Sequence, residues 1–329
     1  MPGNLPYKGD KSNLLVGMES DQGVIASPDR HMGLVLDNAS MPDPEIDWIE
    51  ERVLGGGREL YNKVEGQNLY EGGTINVAPY DGAPLAYLLG KEQGSGPVTL
   101  TALEEDIPPT QTIHAMLDAP ASSSGPNLVR EFYGCTPTSG QIQVGNDGEL
   151  LCSLDYVAMG VDVTDTTTGD PPANKNPWVF TDTSSNLTLF GTSFARVNDF
   201  SLSVSNNIEQ GRYIHDDNPE EPYELTYGPV DYQLNTTITV DDRSIYEELL
   251  EPTVDGFECS MSFTKPSGDT LTITAKKCNF ANAPHDVPAQ VSTIDVDVQI
   301  SPEDLEITVP GGPYLTTSTT AGTSSAAGD

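Results

Sequence analysis

The sequence contains few basic residues. Of its 329 residues, 15 are Lys or Arg and 50 are Asp or Glu, so the formal net charge is −35. Tight binding to nucleic-acid phosphates needs clustered Lys and Arg, and this composition therefore argues against a protein that grips nucleic acid. Aromatic and β-branched residues remain plentiful, so the charge does not by itself predict a disordered chain.

Two explanations of the acidic composition remain open. The protein can come from an organism with molar intracellular salt, which screens the repulsion between carboxylates. Alternatively, the charge can serve one surface, such as the wall of a channel. The scarcity of lysine throughout the chain favours the first explanation, and the two are compatible.

The sequence also lacks the usual signatures of enzymes and metal proteins. Its four histidines are scattered, its four cysteines form no CxxC pair, and no GxSxG or HExxH motif occurs. We therefore predict a protein without catalytic activity or cofactor. Two acidic clusters could still bind cations loosely, although solvated carboxylates are the favoured interpretation of both. The clusters are Asp216, Asp217, Glu220 and Glu221, and Asp295 with Asp297.

Long apolar segments are absent as well. No run of eighteen apolar residues occurs, so we expect no transmembrane helix. The first residues contain Lys8, Asp10 and Lys11 around no apolar core, and we expect no secretory signal.

Two covalent modifications stay open. Cys259 and Cys278 lie almost symmetrically about a predicted hairpin turn, where they would form either a disulfide or two buried free thiols. Sequons for N-glycosylation occur at Asn38, Asn186 and Asn235, and the sequence does not decide whether they are used.

Period-two alternation is clearest between residues 200 and 240. Phe200, Leu202 and Val204 alternate with serines, which predicts a strand with one buried and one solvated face. A long polar loop follows, and a second alternating strand then runs through Leu234 and Ile238. A short helix is predicted at about 242–250, so the unit is strand, long loop, strand, helix.

This order resembles the tail tube proteins of long-tailed viruses. The similar segments read FSLSVSNNIE, then a polar loop, then YELTYGPVDYQLNTTITVDD and a YEELL helix. The resemblance implies a mainly β fold of sandwich or barrel units, each with a short flanking helix. It further implies a structural virion protein whose rings stack into the tube that conducts DNA during ejection. With the acidic composition, it suggests a virus of a halophilic archaeon.

The same resemblance implies partners and a location. The chain would assemble with its own copies and meet other tail proteins at the tube ends, while DNA passes through the lumen without specific binding. It would be made in the host cytoplasm and reside in the virion tail, without contacting a membrane. The alternative function is a secreted or cell-surface β-sandwich binding module of a halophile, against which the lack of a secretory signal argues.

Short sequence echoes predict two related units in the chain. Glu59, Thr74 and Leu88 are echoed at offsets of about 161–165 residues by Glu224, Thr237 and Leu249. Chance similarity of strand–helix units is the alternative explanation. The predicted division is an N-terminal arm (1–34), a first tube-like β domain (35–163), a linker (164–177), a second such domain (178–310) and a disordered tail (311–329).

Two units per chain bear on the assembly. In the family that this chain resembles, single-unit proteins form six-membered rings, so three chains would make a ring with pseudo-sixfold symmetry. Unrelated halves would instead imply a hexamer. The resemblance also implies that the long polar loop reaches another subunit or ring, through Ile208, Arg212, Tyr213, His215, Asp216, Asp217, Pro219 and Tyr223.

One further segment was assigned a helix. Residues 44–53, followed by three glycines, predict a short helix that ends in a flexible loop.

Overall fold

The computed structural model of the chain describes residues 12–36, 39–51, 62–117, 128–145, 148–164, 175–179, 186–189, 192–194, 197, 199–213, 220–239, 256–282 and 295–317. Within these ranges lie 22 β-strands and one α-helix. The fold is mainly β, which confirms the predicted class.

The elements before residue 165 form the first half of the chain. They are β1 (Ser12–Met18), β2 (Arg30–His31), β3 (Leu34–Val35), β4 (Pro44–Glu51), β5 (Asn62–Tyr70), β6 (Gly73–Ala78), α1 (Ala83–Leu89), β7 (Gly90–Gln93), β8 (Val98–Ala102), β9 (Gln111–Leu117), β10 (Leu128–Gly145), β11 (Leu151–Val157) and β12 (Gly160–Thr164).

The strands after residue 175 form the second half. They are β13 (Asn186–Leu189), β14 (Thr192–Phe194), β15 (Asp199–Ser205), β16 (Glu209–Gly211), β17 (Glu224–Thr226), β18 (Asp231–Thr239), β19 (Phe257–Thr264), β20 (Thr270–Asn282), β21 (Asp295–Ser301) and β22 (Asp304–Val309).

The longest sheet, which we call the main sheet, crosses both halves. Its antiparallel order is β3, β6, β11, β10, β15, β18, β21 and the end of β20. Alternation decides which face is buried: in β15, Phe200, Leu202 and Val204 are at most 1% exposed while the serines between them remain partly exposed.

Two flanking sheets share strands with the main sheet. The first has the order β2, β1, β9, β10, β12, and the second has the order β14, β13, β19, β20, β22, β8, β7. The strands β10 and β20 belong to two sheets each because β-bulges interrupt their ladders. Two separate hairpins, β4–β5 and β16–β17, complete the set.

The strand pairings of the first half recur in the second half in the same order. Eight pairings have a counterpart: β1–β2 with β13–β14, β1–β9 with β13–β19, β9–β10 with β19–β20, β10–β11 with β20–β21, β10–β12 with β20–β22, β6–β11 with β18–β21, β3–β6 with β15–β18, and β4–β5 with β16–β17.

Two ladders join the halves. In the main sheet β10 pairs with β15, where Ile142 faces Leu202, and in the second flanking sheet β8 pairs with β22, where Leu100 faces Ile307. Side chains of both halves share one hydrophobic core. The two predicted units therefore share one hydrophobic core and two strand ladders.

The sequence APLAYLL, with Asp81 before it and Gly90 after it, predicts a short helix, and α1 forms there. The Asp81 carboxylate accepts a hydrogen bond from the Ala83 amide (3.1 Å), and Gly90 ends the helix in the left-handed region at φ 77°. Every residue of the helix is buried, and the helix packs against β10 and β11 of the main sheet and against β7 and β8 of the second flanking sheet. The predicted counterpart at 242–250 and the echoes at Glu59 and Leu249 lie outside the described residues.

The helix predicted at 44–53 is wrong over its described part, because residues 44–51 form β4. Nine residues of β5 offer this segment a complete antiparallel partner, with Ile49 opposite Val64. Cross-strand pairing of β-branched and aromatic side chains outweighs a weak helix propensity here.

The predicted division into domains stays a prediction, and two of its end segments contain described residues. Within the predicted arm, residues 12–18 form strand β1, fully paired with β9. Within the predicted disordered tail, Tyr314 is 6% exposed, and the Glu92 carboxylate accepts hydrogen bonds from the amides of Tyr314 and Leu315 at 2.7 and 3.0 Å. Most of the predicted linker, residues 165–174, lies outside the described part.

Within the described residues, no helix has the length and hydropathy of a membrane-spanning segment. All four cysteines are buried free thiols, which answers the question of a disulfide between Cys259 and Cys278. Burial raises the pKa of both thiols, that of Cys278 to about 12.

Candidate functional site

The solvated face of the main sheet is its most uniform surface. We call it the polar face, and it consists of the polar outward side chains of six adjacent strands, among which Leu151 is an apolar outward neighbour. Serine, threonine, asparagine and glutamine dominate it, five aspartates interrupt it, and none of its positions holds Lys or Arg. Its residues are Thr74, Asn76, Ser139, Gln141, Gln143, Ser153, Asp155, Asp199, Ser201, Ser203, Ser205, Asp231, Gln233, Asn235, Thr237, Thr239, Asp295, Asp297, Gln299 and Ser301.

The aspartates of the polar face accept hydrogen bonds from hydroxyl groups on neighbouring strands. Asp155 accepts from Thr74 at 2.7 Å and from Ser139 at 2.8 Å. In the second half Asp297 accepts from Thr237 at 2.9 Å. Because Thr74 and Thr237 are the residues that echo each other in the sequence, the same cross-strand contact recurs in both halves. These bonds hold the side chains flat along the sheet.

The joint between β10 and β15 keeps the polar face continuous across the two halves. Across it, Gln141 donates a hydrogen bond to the Ser201 hydroxyl at 2.9 Å. At its end, the buried Asn206 side chain donates to the carbonyls of Leu88 and Pro137 at 2.8 and 3.1 Å. This amide fixes the second half against α1 and β10.

The hairpin β4–β5 is a second unusual surface. It pairs with no other strand in the described part of the chain, and every residue of β4 is exposed. Two-stranded hairpins are marginally stable alone in water, and exposed apolar clusters mark interaction surfaces. Its exposed large apolar side chains are Ile46, Trp48, Ile49, Val64 and Leu69. Sequence reasoning missed this surface because the segment was assigned a helix.

The described part of the predicted contact loop is held against its own chain. Ile208 packs beside a small cluster of Val157, Met159 and Leu225. The Arg212 guanidinium donates to the Asn68 carbonyl at 2.6 Å, and the Asn68 amide donates to the Glu220 carbonyl at 2.8 Å. The base of hairpin β4–β5 is thus tied to the loop of the second half.

Two tyrosines of the contact loop remain exposed. Tyr213 and Tyr223 are each 57% exposed and their rings meet edge to face at 5.6 Å. The Tyr213 hydroxyl donates to the Glu224 carboxylate at 2.7 Å, which raises the pKa of Tyr213. The other predicted contact residues, His215, Asp216, Asp217 and Pro219, lie outside the described residues.

One carboxylate is buried away from these surfaces. Glu19 is 6% exposed and accepts hydrogen bonds from the Thr110 and Thr112 hydroxyls and from the Gly23 and Gly134 amides, all between 2.6 and 2.9 Å. Desolvation raises its pKa, and the four donors partly oppose that rise. With donors on all sides and no substrate cleft, this group fixes β1, β9 and β10 together.

No catalytic or metal-binding constellation was found in the part of the chain that the structure describes. In particular, no group of three His, Cys, Asp or Glu side chains is placed to hold a metal ion there. Among the described residues, the surfaces that stand out are the polar face and the exposed hairpin.

Comparison with known families agrees with this architecture. No curated protein sequence is similar enough to the chain to be counted as a relative. A family model described as phage tail tube protein matches residues 9–321, nearly the whole sequence. A mainly β chain that matches this model over such a length belongs to the phage tail tube protein family.

Proposed function

We propose that copies of the chain close into rings, that the rings stack into a tube, and that the polar face of the main sheet lines the lumen through which DNA passes. The composition of the polar face carries this proposal: it is broad, hydrophilic and free of positive charge. A structural role in the tail follows from membership of the family, and the proposal adds which surface faces the genome.

The physical reason lies in the charge of DNA. Lys and Arg at the lumen would bind phosphates and hold the genome, whereas aspartates repel them. The screening length is about 8 Å at physiological ionic strength and shorter in molar salt, so the repulsion acts only close to the wall. The hydroxyls of Thr74 and Thr237 already donate to aspartate carboxylates, and the Gln141 amide donates to the Ser201 hydroxyl, so these donors are not free to bind a passing phosphate.

The repeated pairings support a ring of three chains. In this proposal the unit predicted at 35–163, extended at its start by β1, β2 and β3, and the unit at about 178–310 are two tube modules, and three chains present six modules around the axis. Edge-to-edge pairing of modules would leave no open strand edge in the ring. A ring of six chains is the alternative if only one half takes a module position.

The two hairpins supply contacts between stacked rings. Hairpins β4–β5 and β16–β17 occupy the same position in their halves, each between two paired strands of the main sheet. The apolar hairpin β4–β5 and the exposed pair of Tyr213 and Tyr223 would meet the neighbouring ring, with His215, Asp216, Asp217 and Pro219 in the same loop. Ile208 and Arg212 would position that loop through their contacts with the rest of their own chain.

The remaining parts of the proposal concern the setting. The protein would be made in the host cytoplasm and built into the virion tail, where other tail proteins meet the ends of the tube. It would need no cofactor and make or break no bond. A net charge of −35 supports a host with molar internal salt, a halophilic archaeon.

Electron microscopy of the purified chain tests the assembly and the orientation of the polar face together. Native thiols are buried, so a Ser203→Cys variant can be labelled with a maleimide-coupled gold cluster at the polar face alone. We expect rings or tubes with gold on the inner wall. A matched Glu303→Cys variant, on an exposed side chain of the turn before β22, should place gold elsewhere.

Single compact particles under all salt conditions would contradict the assembly. Tubes with the Ser203 label on the outer surface would leave the assembly standing and overturn the assignment of the lumen.

A further inference from the structure

One residue of the second half binds directly to a bend in β10. Strand β10 pairs with β11 in a register that skips from Pro137 to Ser139, so Thr138 forms a β-bulge without a partner residue in β11. A bulge bends its strand and interrupts the ladder. Beyond the bulge, β10 pairs with β15 from Ser139 to Gly145, and this ladder is the joint between the two halves.

The residue is Asn206, which follows the last residue of β15 and binds both carbonyls of the bulge. Its backbone amide donates to the Thr138 carbonyl at 2.8 Å, and its side-chain amide donates to the Pro137 carbonyl at 3.1 Å. The Thr138 hydroxyl donates in turn to the Asp155 carbonyl of β11 at 3.1 Å. The bulge is therefore held on one side by β11 and on the other by the second half.

The same side chain also reaches the helix beneath the joint. The other hydrogen of the Asn206 amide is donated to the Leu88 carbonyl in α1 at 2.8 Å. The Leu88 side chain lies against the backbone of β10, since a β-carbon at Gly140 would come within 2.7 Å of both Leu88 methyl groups. Gly140 belongs to the joint ladder, opposite Val204. Helix α1 is thus bonded to the second half and packed on the first-half strand of the joint.

The chemistry of this position requires an amide. Asn206 is 4% exposed, and its short side chain supplies two donors to two carbonyls in a buried environment. An ionised aspartate of the same shape has no donor, and a serine has one. Buried carbonyls left without a donor are costly, so replacing this amide should loosen the bulge, the helix and the end of β15 from one another.

We propose that Asn206 is a positioning residue for the curvature of the ring: it fixes the bend of β10 at the joint, and with it the angle between the two modules of one chain. This inference rests on the proposed ring assembly, in which a closed ring needs the same angle in every chain. The ladder by itself allows a range of angles, because adjacent strands twist relative to one another by about 10° to 35° in different sheets. A contact that binds the bulge and the helix together restricts that range.

A distance across the joint tests the proposal in the unassembled subunit. Spin labels at Asn76→Cys in β6 and Gln299→Cys in β21 would lie on the polar face in opposite halves, and the native cysteines are buried. The two strands are about 24 Å apart, from five strand spacings of about 4.8 Å. Pulsed electron paramagnetic resonance should give one narrow distance, which becomes broader or displaced when Asn206→Asp is added.

Electron microscopy of the assembled protein gives a readout that a general loss of stability would not move. Asn206→Asp should lose closed rings of uniform diameter, and Asn206→Ser should lose them less completely because it keeps one donor. As a control, Val16→Ala truncates a fully buried side chain of β1 outside the joint. It should lower stability and keep the wild-type ring diameter.

Circular dichroism checks folding, and if Asn206→Asp does not fold, Asn206→Ser takes its place in both measurements. A distance distribution that a folded variant leaves unchanged would overturn the role of Asn206. Rings of wild-type diameter from that variant would overturn it too, as would an equal change of diameter in Val16→Ala. Wild-type protein that never forms rings would refute the proposed function itself, whereas the distance measurement still tests the joint.

Discussion

The two halves of the chain share their strand pairings but differ in how their edges are covered. The second half has β15 and β22 enclosed between two strands, and both carry buried apolar residues. The first half has β3 and β12 in the corresponding places, where each pairs with a single strand among the described residues and carries an exposed valine, Val35 or Val163. Identical local patterns thus lead to different burial, because burial depends on where the covering strand comes from.

Low salt should produce the largest effect and should act unequally on the halves. On the polar face one aspartate, Asp155, belongs to the first half, while Asp199, Asp231, Asp295 and Asp297 belong to the second. Between about 3 M and about 0.1 M salt, lost screening should destabilise the chain, with β18 and β21 losing amide protection before β6 and β11.

Hydrogen exchange across that salt range measures this order. A flat protection pattern would contradict the dependence on salt and remove the support for a halophilic host.

Val163 in β12 and Ile307 in β22 occupy corresponding positions in the matched pairings β10–β12 and β20–β22, so truncating each of them tests the comparison directly. Ile307→Ala should cost about 2–5 kcal/mol of unfolding free energy, because it leaves a cavity in the shared core. Val163→Ala should change the unfolding free energy of the unassembled chain by less than about 0.5 kcal/mol, since an exposed side chain loses few contacts. Denaturant titration in high salt measures both. Equal costs would show that the two positions do not differ as described.

The two hairpins offer a smaller contrast. Replacing Trp48 and Ile49 by serine removes cross-strand contacts within hairpin β4–β5 but should lower the unfolding free energy of the whole chain by no more than about 1 kcal/mol, because both side chains are exposed and the hairpin pairs with no other described strand. Tube length should nevertheless fall, since each apolar side chain is worth about 1.5–3 kcal/mol when buried in a ring contact.

Deleting residues 208–219, which belong to the predicted contact loop, should likewise give folded subunits that do not polymerise.

Length distributions from electron micrographs measure both hairpin variants. Tubes of normal length from either would refute a stacking role for that hairpin.

Glu19 should give the smallest and most specific effect. It is the buried carboxylate of the first half, and the described second half has none. Its pKa is raised in the folded state, so the folded state retains the Glu19 proton more strongly and this contribution to stability is lost as pH rises. The stability of wild type relative to Glu19→Gln should therefore fall between about pH 5 and about pH 8.

Denaturant unfolding at the two pH values measures that difference. Glu104→Gln, at a side chain that is 88% exposed, should show no such trend. A wild-type chain that gains stability over Glu19→Gln with rising pH would contradict the assigned direction.

Much of the fold could be predicted from local pattern. The alternation at Phe200, Leu202 and Val204 predicted β15, and Gly90 marked the end of α1, because side-chain periodicity and a left-handed cap act within a few residues. The hairpins β10–β11 and β19–β20 also lie where the turn sequences GNDG (145–148) and KPSGD (265–269) predict them.

The rest depended on contacts that sequence spacing does not reveal. Residues 44–51 form a strand because β5 supplies a partner, and Tyr314 is ordered because Glu92 lies beside it, 222 residues earlier. The polar face was foreseen only as a general acidic wall, since its composition becomes visible once six strands are placed side by side. The different burial of Val163 and Ile307 required a comparison of the two halves in space.

The most direct test of the account is the rotational symmetry of the assembled tube, read from a cryo-electron microscopy reconstruction. We expect three chains per ring, six similar modules and the polar face on the lumen. Six chains per ring, or a lumen formed by another surface, would contradict it.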